Sequence, residues 1–108
     1  DQNARKQGTL VPFLGKPAYT VRTVAGLQQK TGCTVLYNYA VLRPDGSYHV
    51  VMYESEEPDV SPQDEEAFIE SHQRRDNEEI SSWIRQQPDQ WFGWFHRRWR
   101  GARKAAST

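Results

Sequence analysis

The stretch TVLYNYAVLRPDGSYHVVMY, residues 34–53, gives the clearest sign of regular structure in this chain. Its first half, Thr34–Arg43, is rich in β-branched and aromatic residues and is apolar on both alternating faces, which predicts a strand covered on both sides. The tetrapeptide Pro-Asp-Gly-Ser at 44–47 supplies residues that tight turns prefer, and Tyr48–Tyr53 returns as a second strand. We therefore expect the two strands to pair as a hairpin.

Upstream of this hairpin, the sequence predicts a loop followed by a helix. Leu10–Pro17 contains two prolines and one glycine, which interrupt both periodic structures and favour an apolar loop. Beyond the loop, the residues at helical spacing are Val21, Val24, Ala25 and Gln28. Gly32 suits the left-handed cap that ends a helix. We expect a helix over residues 18–31.

Downstream of the hairpin, a proline-containing linker leads into a helical pattern. The apolar residues of this pattern are Phe68, Ile69, Ile80, Trp83 and Ile84. They predict one long helix, and its polar centre at 74–79 leaves a break there as an alternative. Pro88 ends this helix. Because proline suits the first turn of a helix and Asp89 favours its positive end, we expect a further short helix over 88–99.

Charge is unevenly distributed along the 108 residues, although the formal net charge is zero. Residues 54–79 are strongly acidic, with Arg74 and Arg75 as their only arginines, and we expect this segment to be solvated. After Asp89 the chain is cationic and aromatic. Cys33 is the only cysteine, which excludes an internal disulfide, and we expect it to be buried. The apolar stretch Val35–Leu42 is far shorter than the ~20 residues of a membrane-spanning helix.

Three segments resemble a known family. The stretch PDQWFGWFHRRWR at 88–100 resembles the closing signature of the lipid A late acyltransferases, in which Pro-Glu-Gln and aromatic residues precede His-Arg-Arg, an aromatic residue and Lys or Arg. Asp1 and Gln2, followed by VPFLGKPA at 11–18 and by Thr20, are similar to the family's Asp-Gln pair and Val-Pro-Phe-Phe-Gly-x-Pro-Ala-x-Thr run. The strand that ends in Arg43 before Pro-Asp-Gly matches as well, so the resemblance spans nearly the whole chain.

The resemblance implies an α/β fold with a mixed sheet and flanking helices, as a fragment of the glycerolipid-acyltransferase-like α/β sandwich. It identifies residues 1–108 as a single domain, the carboxy-terminal portion of an acyltransferase whose catalytic amino-terminal half, with its His-x4-Asp/Glu motif, is absent. The implied reaction moves a fatty acyl chain from its thioester on acyl carrier protein to a hydroxyl of a lipid A precursor glycolipid. The implied location is the cytoplasmic face of the bacterial inner membrane, and no cofactor or metal is expected.

The candidate substrate-binding residues lie at both ends of the chain and at one strand end. They are Asp1, Gln2, Arg5, Arg43, His96, Arg97, Arg98 and Arg100. Guanidinium groups suit phosphate oxygens, and the family's acceptor is a phosphorylated glycolipid, so the resemblance implies headgroup contacts for the arginines of the tail; solvated surface arginines are the alternative. Arg43 either pairs with one of the acids from Glu54 onward or points toward the substrate cleft. The tryptophans of the tail either pack in a core or lie in a membrane interface.

The histidines give no convincing catalytic or metal site. His49 and Glu54 have the His-x4-Glu spacing, but on a strand such positions point to opposite faces and lie ~16 Å apart. His72 and Asp76 meet at i and i+4 of the predicted helix, which favours an ordinary surface pair. We therefore expect no catalytic residue and no metal ligand in this chain.

Two other functions remain as alternatives. The first is a nucleic-acid-binding module, because aromatic rings stack on bases and arginines neutralise phosphates; the acidic middle segment repels a phosphate backbone and argues against that partner. The second is an interaction domain whose aromatic tail docks on a partner protein, for which a large exposed apolar patch is the expected sign.

Overall fold

One long helix organises the fold, and two short β-hairpins pack against it. The structure, a computed structural model, describes residues 8–91 and 98–99. In chain order the elements are β1 (Thr9–Phe13), β2 (Lys16–Thr20), α1 (Thr23–Thr31), β3 (Leu36–Leu42), β4 (Tyr48–Glu54), α2 (Glu65–Gln86) and a 3₁₀ turn (Pro88–Gln90). The described strands form two antiparallel sheets, β1–β2 and β3–β4. The predicted α/β class is confirmed.

The apolar loop predicted at Leu10–Pro17 is wrong, because this segment forms most of the β1–β2 hairpin. Leu14 and Gly15 make the two-residue turn with φ angles of 51° and 81°, the left-handed conformation that the commonest such turn requires. Pro12 and Pro17 lie opposite each other on the exposed face. Hydrogen-bonded and non-hydrogen-bonded pairs alternate along an antiparallel ladder. Because the Phe13–Lys16 pair next to the turn is hydrogen-bonded, the Pro12–Pro17 pair is not, and the missing proline N–H groups remove no bond between the strands.

Helix α1 is shorter than predicted, Thr23–Thr31 instead of 18–31, because residues 18–20 belong to β2. Its predicted end is confirmed, since Gly32 has a φ of 68° and its N–H donates to Gln28 O at 2.8 Å. The prediction of a buried Cys33 is wrong. This residue lies in the connection after the helix cap, where residues 31–34 are all exposed.

The hairpin predicted over 34–53 is confirmed, with β3 and β4 paired from Leu36↔Glu54 to Leu42↔Tyr48. One face packs on α2, where Tyr37 is 8% exposed. The opposite face carries large exposed apolar side chains, which are Leu36, Leu42, Tyr48, Val50 and Met52. The prediction that this strand is covered on both sides is therefore wrong for the described residues, because their single covering layer is α2.

Helix α2 runs unbroken from Glu65 to Gln86, so the alternative of a break at 74–79 is wrong. The polar residues at its centre point inward, and Gln73 and Asn77 are 1% and 2% exposed. Gln73 Nε2 donates to Thr20 O at 3.0 Å, and Asn77 Nδ2 donates to Thr20 Oγ1 at 2.9 Å. The helix keeps a polar centre because these amides find hydrogen-bond partners inside the fold.

The end of α2 is confirmed before Pro88, but at residues 88–91 and 98–99 the structure does not have the short helix predicted over 88–99. Pro88–Gln90 forms a single 3₁₀ turn, and Trp91 is extended with φ −96° and ψ 108°. Residues 92–97 lie outside the described residues, and Arg98 and Trp99 lie in a turn. The ring of Trp91 packs 5.6 Å from that of Phe13, and such tertiary contacts override a local helix preference.

The core lies where the β1–β2 hairpin meets α2. Phe13 and Ala18 are fully buried, and Ile84 is 5% exposed. The partly buried residues that pack around them are Leu14, Ile80, Trp91 and Trp99. The hairpin that the sequence did not predict is therefore the one at the centre of the fold.

Candidate functional site

Arg98, predicted to contact a headgroup, lies in the interior of the fold and is 1% exposed. Its Nη1 donates to Tyr19 O at 2.7 Å, and its Nη2 donates to Thr20 Oγ1 at 3.3 Å. Its guanidinium carbon lies 4.7 Å from the centre of the Phe13 ring, a cation–π arrangement. Burial lowers the pKa of Arg98 to about 10, so the group stays cationic at neutral pH. The alternative of a solvated Arg98 is therefore wrong. Its contacts join the end of the chain to β2 and to the core residue Phe13.

The described indoles of the tail pack in the core. Trp91 and Trp99 flank Phe13, with ring centres 5.6 and 5.7 Å away. Trp99 Nε1 also donates to Phe13 O at 3.1 Å, which satisfies the polar end of the ring. Of the two interpretations of the tryptophans, core packing therefore applies to these two.

A cavity of about 330 Å³ lies beside the β1–β2 turn. One wall is the turn itself, where the Leu14 N–H donates to Ser81 Oγ of α2 at 3.0 Å. The facing residues of α2 are Arg74, Glu78, Ser81 and Arg85. Arg74 is also held by Glu70 at 2.9 Å. The sequence analysis did not single out this charged lining because Arg74 lies within the acidic segment and Arg85 follows it closely. The signal was that the two arginines share one helical face.

Arg43 lies at the exposed tip of the β3–β4 hairpin. Its Nη2 lies 2.6 Å from His49 Nδ1 across the hairpin. Its described partner is therefore a histidine on the paired strand and not one of the acids from Glu54 onward. The other alternative, that Arg43 points toward the substrate cleft, stays a prediction. Arg43 and Arg98 contact different hairpins, so the structure does not bring these two candidates together.

Six of the predicted site residues lie outside the described residues, and their roles stay predictions. They are Asp1, Gln2, Arg5, His96, Arg97 and Arg100.

A cluster of phenols and carboxylates joins β3–β4 to α2. Tyr37 donates to Asp76 Oδ1 at 2.6 Å, Tyr53 donates to Glu79 Oε2, and Trp83 Nε1 donates to Tyr53 at 2.7 Å. Burial and then the bond to Glu79 raise the pKa of Tyr53 to about 12. Burial, then the bond to Asp76, raises the pKa of Tyr37 well above its usual value. These phenols therefore act as neutral donors.

His72 lies beside this cluster and is 2% exposed. Its Nδ1 is 2.8 Å from Asp76 Oδ2, although the two groups lack the alignment of a hydrogen bond. The predicted pair is confirmed, but its predicted surface position is wrong, because this side of α2 faces the interior.

The histidine motif on β4 has no catalytic geometry. His49 and Glu54 both belong to this strand, five positions apart, so their side chains point to opposite faces. Within residues 8–91 and 98–99, no group of three potential metal ligands comes together. None of the helices in the same residues has the length and apolar character of a membrane span.

Comparison with known proteins gives one family. The model of the bacterial lipid A biosynthesis acyltransferase family matches residues 1–101. No curated protein and no solved structure matches the chain.

Proposed function

Since the chain belongs to the bacterial lipid A biosynthesis acyltransferase family, we propose that it forms part of an enzyme that transfers a fatty acyl chain from acyl carrier protein to a hydroxyl of a lipid A precursor. The observation that carries the proposal is the family match over residues 1–101. The proposed setting is the cytoplasmic face of the bacterial inner membrane.

The β1–β2 turn is proposed to form part of the wall of the acceptor site. It borders a cavity whose opposite side carries Arg74, Glu78 and Arg85. Arg74 is paired with Glu70, so Arg85 is the guanidinium proposed to contact a phosphate of the acidic glycolipid. Arg98 supports this wall from inside, through Tyr19 and Thr20. The other residues proposed to bind the substrate are Asp1, Gln2, Arg5, Arg43, His96, Arg97 and Arg100.

The catalytic histidine is proposed to lie outside these 108 residues. The residues five positions after His49, His72 and His96 are Glu54, Asn77 and Gly101. The first of these pairs alone fits the His-x4-Asp/Glu pattern, and it lies on opposite faces of a strand. The 108-residue chain is therefore expected to be inactive by itself.

The nucleic-acid alternative loses support from the packing of the tail. Base stacking requires exposed aromatic faces. Trp91 and Trp99 instead pack against Phe13, which leaves fewer rings for that role.

The proposal is tested by measuring acyl transfer from acyl carrier protein to a purified lipid A precursor. The activity of the complete gene product is compared with that of the 108-residue chain. The complete protein is expected to acylate the precursor and the chain alone is not. In the complete protein, Arg85→Ala is expected to raise the KM for the precursor with little change in kcat, because it removes uniform binding. The control is Arg22→Ala, which removes a half-buried arginine outside the cavity that is bonded to Thr9 Oγ1 and to Glu66 Oε1, both at 2.7 Å. Acylation by the chain alone would contradict the proposed location of the catalytic histidine.

A further inference from the structure

The turn between β1 and β2 holds a leucine in a backbone conformation that leucine rarely adopts. Leu14 has a φ of 51°, the one positive φ of a non-glycine residue within residues 8–91 and 98–99. In this left-handed region the Cβ atom crowds the following carbonyl oxygen, so residues other than glycine are destabilised there. Asparagine or aspartate followed by glycine is the usual sequence of such a two-residue turn. Leu14 therefore keeps its conformation because other contacts hold it.

Two contacts with other parts of the fold hold Leu14. Its N–H donates to Ser81 Oγ of α2 at 3.0 Å, across 67 positions of the sequence. Its side chain packs against the core cluster of Phe13, Ala18 and Ile84. Ser81 is 3% exposed, so water does not readily replace its hydroxyl as the acceptor. The position of the turn relative to α2 therefore depends on this hydroxyl.

The Ser81 hydroxyl bonds a distant turn, unlike two other helical hydroxyls of this chain. Helical serine and threonine hydroxyls often donate to the carbonyl four residues earlier. Thr31 of α1 does so, with Leu27 O at 2.7 Å. The neighbouring Ser82 accepts from Gln86 Nε2 of its own helix at 3.4 Å. The bond of Ser81 joins two elements instead, which indicates a role in arranging them.

Leu14 and Ser81 both line the cavity of about 330 Å³ beside the turn. Arg85 lines the cavity as well, four positions after Ser81 and therefore on the same face of α2. Since the turn lies on one side of the cavity and α2 on the other, the bond between Leu14 and Ser81 fixes how far the turn lies from Arg85. A change of that separation alters the fit of any group that contacts both sides.

We propose that Ser81 is a positioning residue of the acceptor site, an inference that rests on the proposed function. By holding Leu14, it sets the width of the cavity for a phosphorylated headgroup that lies against the turn and contacts Arg85. Ser81 itself is assigned no contact with the substrate. Residues that bind a ligand need support from surrounding hydrogen bonds, because a displacement of about 1 Å weakens the contact.

A hydrogen bond that only stabilised the fold would give a different result. Its loss would lower the free energy of unfolding and leave the affinity of the folded protein for the acceptor unchanged. A positioning role instead predicts weaker binding by the folded protein, and it predicts that this effect depends on Arg85. Affinity and stability are therefore measured on the same variants.

The test uses the complete gene product and a radiolabelled, purified lipid A precursor in detergent micelles, with equilibrium binding measured for each variant. Ser81→Ala should bind the precursor about tenfold more weakly, as for the loss of one hydrogen bond. Ser81→Thr keeps the hydroxyl and should keep most of the affinity. The matched control is Ser82→Ala, a change at the next position and outside the described cavity lining, which should leave the affinity unchanged.

A double-mutant cycle separates positioning from a general loss of structure. In the Arg85→Ala protein, a further Ser81→Ala should weaken binding less than about twofold, because the contact that Ser81 aligns is already gone. Equal losses in both backgrounds, or an unchanged affinity of Ser81→Ala in the parent protein, would overturn the inference. If urea unfolding shows that Ser81→Ala is not folded, Ser81→Cys replaces it, because sulfur is a weaker acceptor, and the same outcomes apply.

The outcomes distinguish this inference from the proposed function. Acyl transfer by the parent protein together with an unchanged affinity of Ser81→Ala contradicts the inference alone. A parent protein that binds the precursor and shows the coupling between Ser81 and Arg85, but does not acylate the precursor, contradicts the proposed acyl transfer and supports the positioning role. A parent protein without affinity for the precursor contradicts both.

Discussion

The β1–β2 and β3–β4 hairpins pack against the same helix but are held in different ways. The buried face of β1–β2 has Phe13 and Ala18 at 0% exposure, and Arg98 covers it from the end of the chain. The β3–β4 hairpin is attached through the hydroxyl groups of Tyr37 and Tyr53, and its outer face is exposed.

Hydrophobicity along the sequence therefore does not determine which hairpin is central. The β3–β4 segment is rich in apolar residues, yet Val50 and Met52 are each 61% exposed. The β1–β2 segment carries two prolines and is buried on one face because α2 and two tail residues, Trp91 and Trp99, converge on it. The number of elements that reach a hairpin decides its burial.

The largest effect that separates the hairpins is expected from Phe13→Ala. Loss of this fully buried ring should lower the free energy of unfolding by about 3–5 kcal/mol. Val50→Ala on the other hairpin should change it by less than about 0.5 kcal/mol, because the side chain is 61% exposed. Urea unfolding followed by tryptophan fluorescence measures both. Equal losses would show that the two hairpins are equally buried.

A smaller effect is expected where α2 holds the end of β2. Gln73 Nε2 donates to the carbonyls of Thr20 and Val21 at 3.0 and 3.1 Å. Gln73→Leu leaves both carbonyls without this donor, and the free energy of unfolding should fall by about 2 kcal/mol. The control is Gln86→Leu, a change at an exposed position of the same helix. A neutral result for Gln73→Leu would mean that another donor replaces the amide.

The attachment of β3–β4 should weaken at high pH. The pKa of Tyr53 is raised from 10.0 to about 12, so the fold favours the neutral phenol. The resulting stabilisation is complete below pH 10 and is lost as the pH rises through about 12. Tyr53→Phe should lower the free energy of unfolding by about 1 kcal/mol at pH 8. Above pH 10, the free energy of unfolding of this variant should decrease less steeply with pH than that of the parent chain. Urea midpoints across this range test it, with the exposed Tyr48→Phe as the control. An unchanged alkaline slope in Tyr53→Phe would assign the transition to other groups.

The smallest effect is expected from the surface ion pair at the start of α2. Arg22 Nη2 lies 2.7 Å from Glu66 Oε1, and Glu66 is 75% exposed. Glu66→Gln should lower stability by about 0.5 kcal/mol or less, and 1 M NaCl should remove the difference, because salt screens exposed charges. Thermal unfolding at low and high salt measures it. A salt-independent loss above 1 kcal/mol would indicate that the carboxylate has a structural contact beyond this pair.

Much of the local structure could be predicted from the sequence. The turn at Pro-Asp-Gly-Ser, the left-handed cap at Gly32 and the extent of α2 all depend on residues close together in the chain. The β1–β2 hairpin was not predicted because prolines usually interrupt strands. The Pro12–Pro17 pair is exposed and not hydrogen-bonded, and such a position tolerates proline. The alternation of buried Val11 and Phe13 with exposed Pro12 was the signal that favoured a strand.

The candidate site was less accessible to sequence reasoning. Arginines of the tail were expected to contact a ligand, but Arg98 is buried against Phe13 and β2. His72 was expected on the surface and lies in the interior. In both cases the sequence shows the chemical group correctly, while its surroundings come from residues tens of positions away.

By itself, the sequence determined the family, the α/β class, the β3–β4 hairpin and the long helix, because each follows from motifs or from contacts within a few residues. The burial of Gln73, Asn77 and Arg98 and the central position of β1–β2 emerge only in the folded molecule. The physical reason is that burial depends on which distant segments reach the same place, and the periodicity of a single segment contains no information about them.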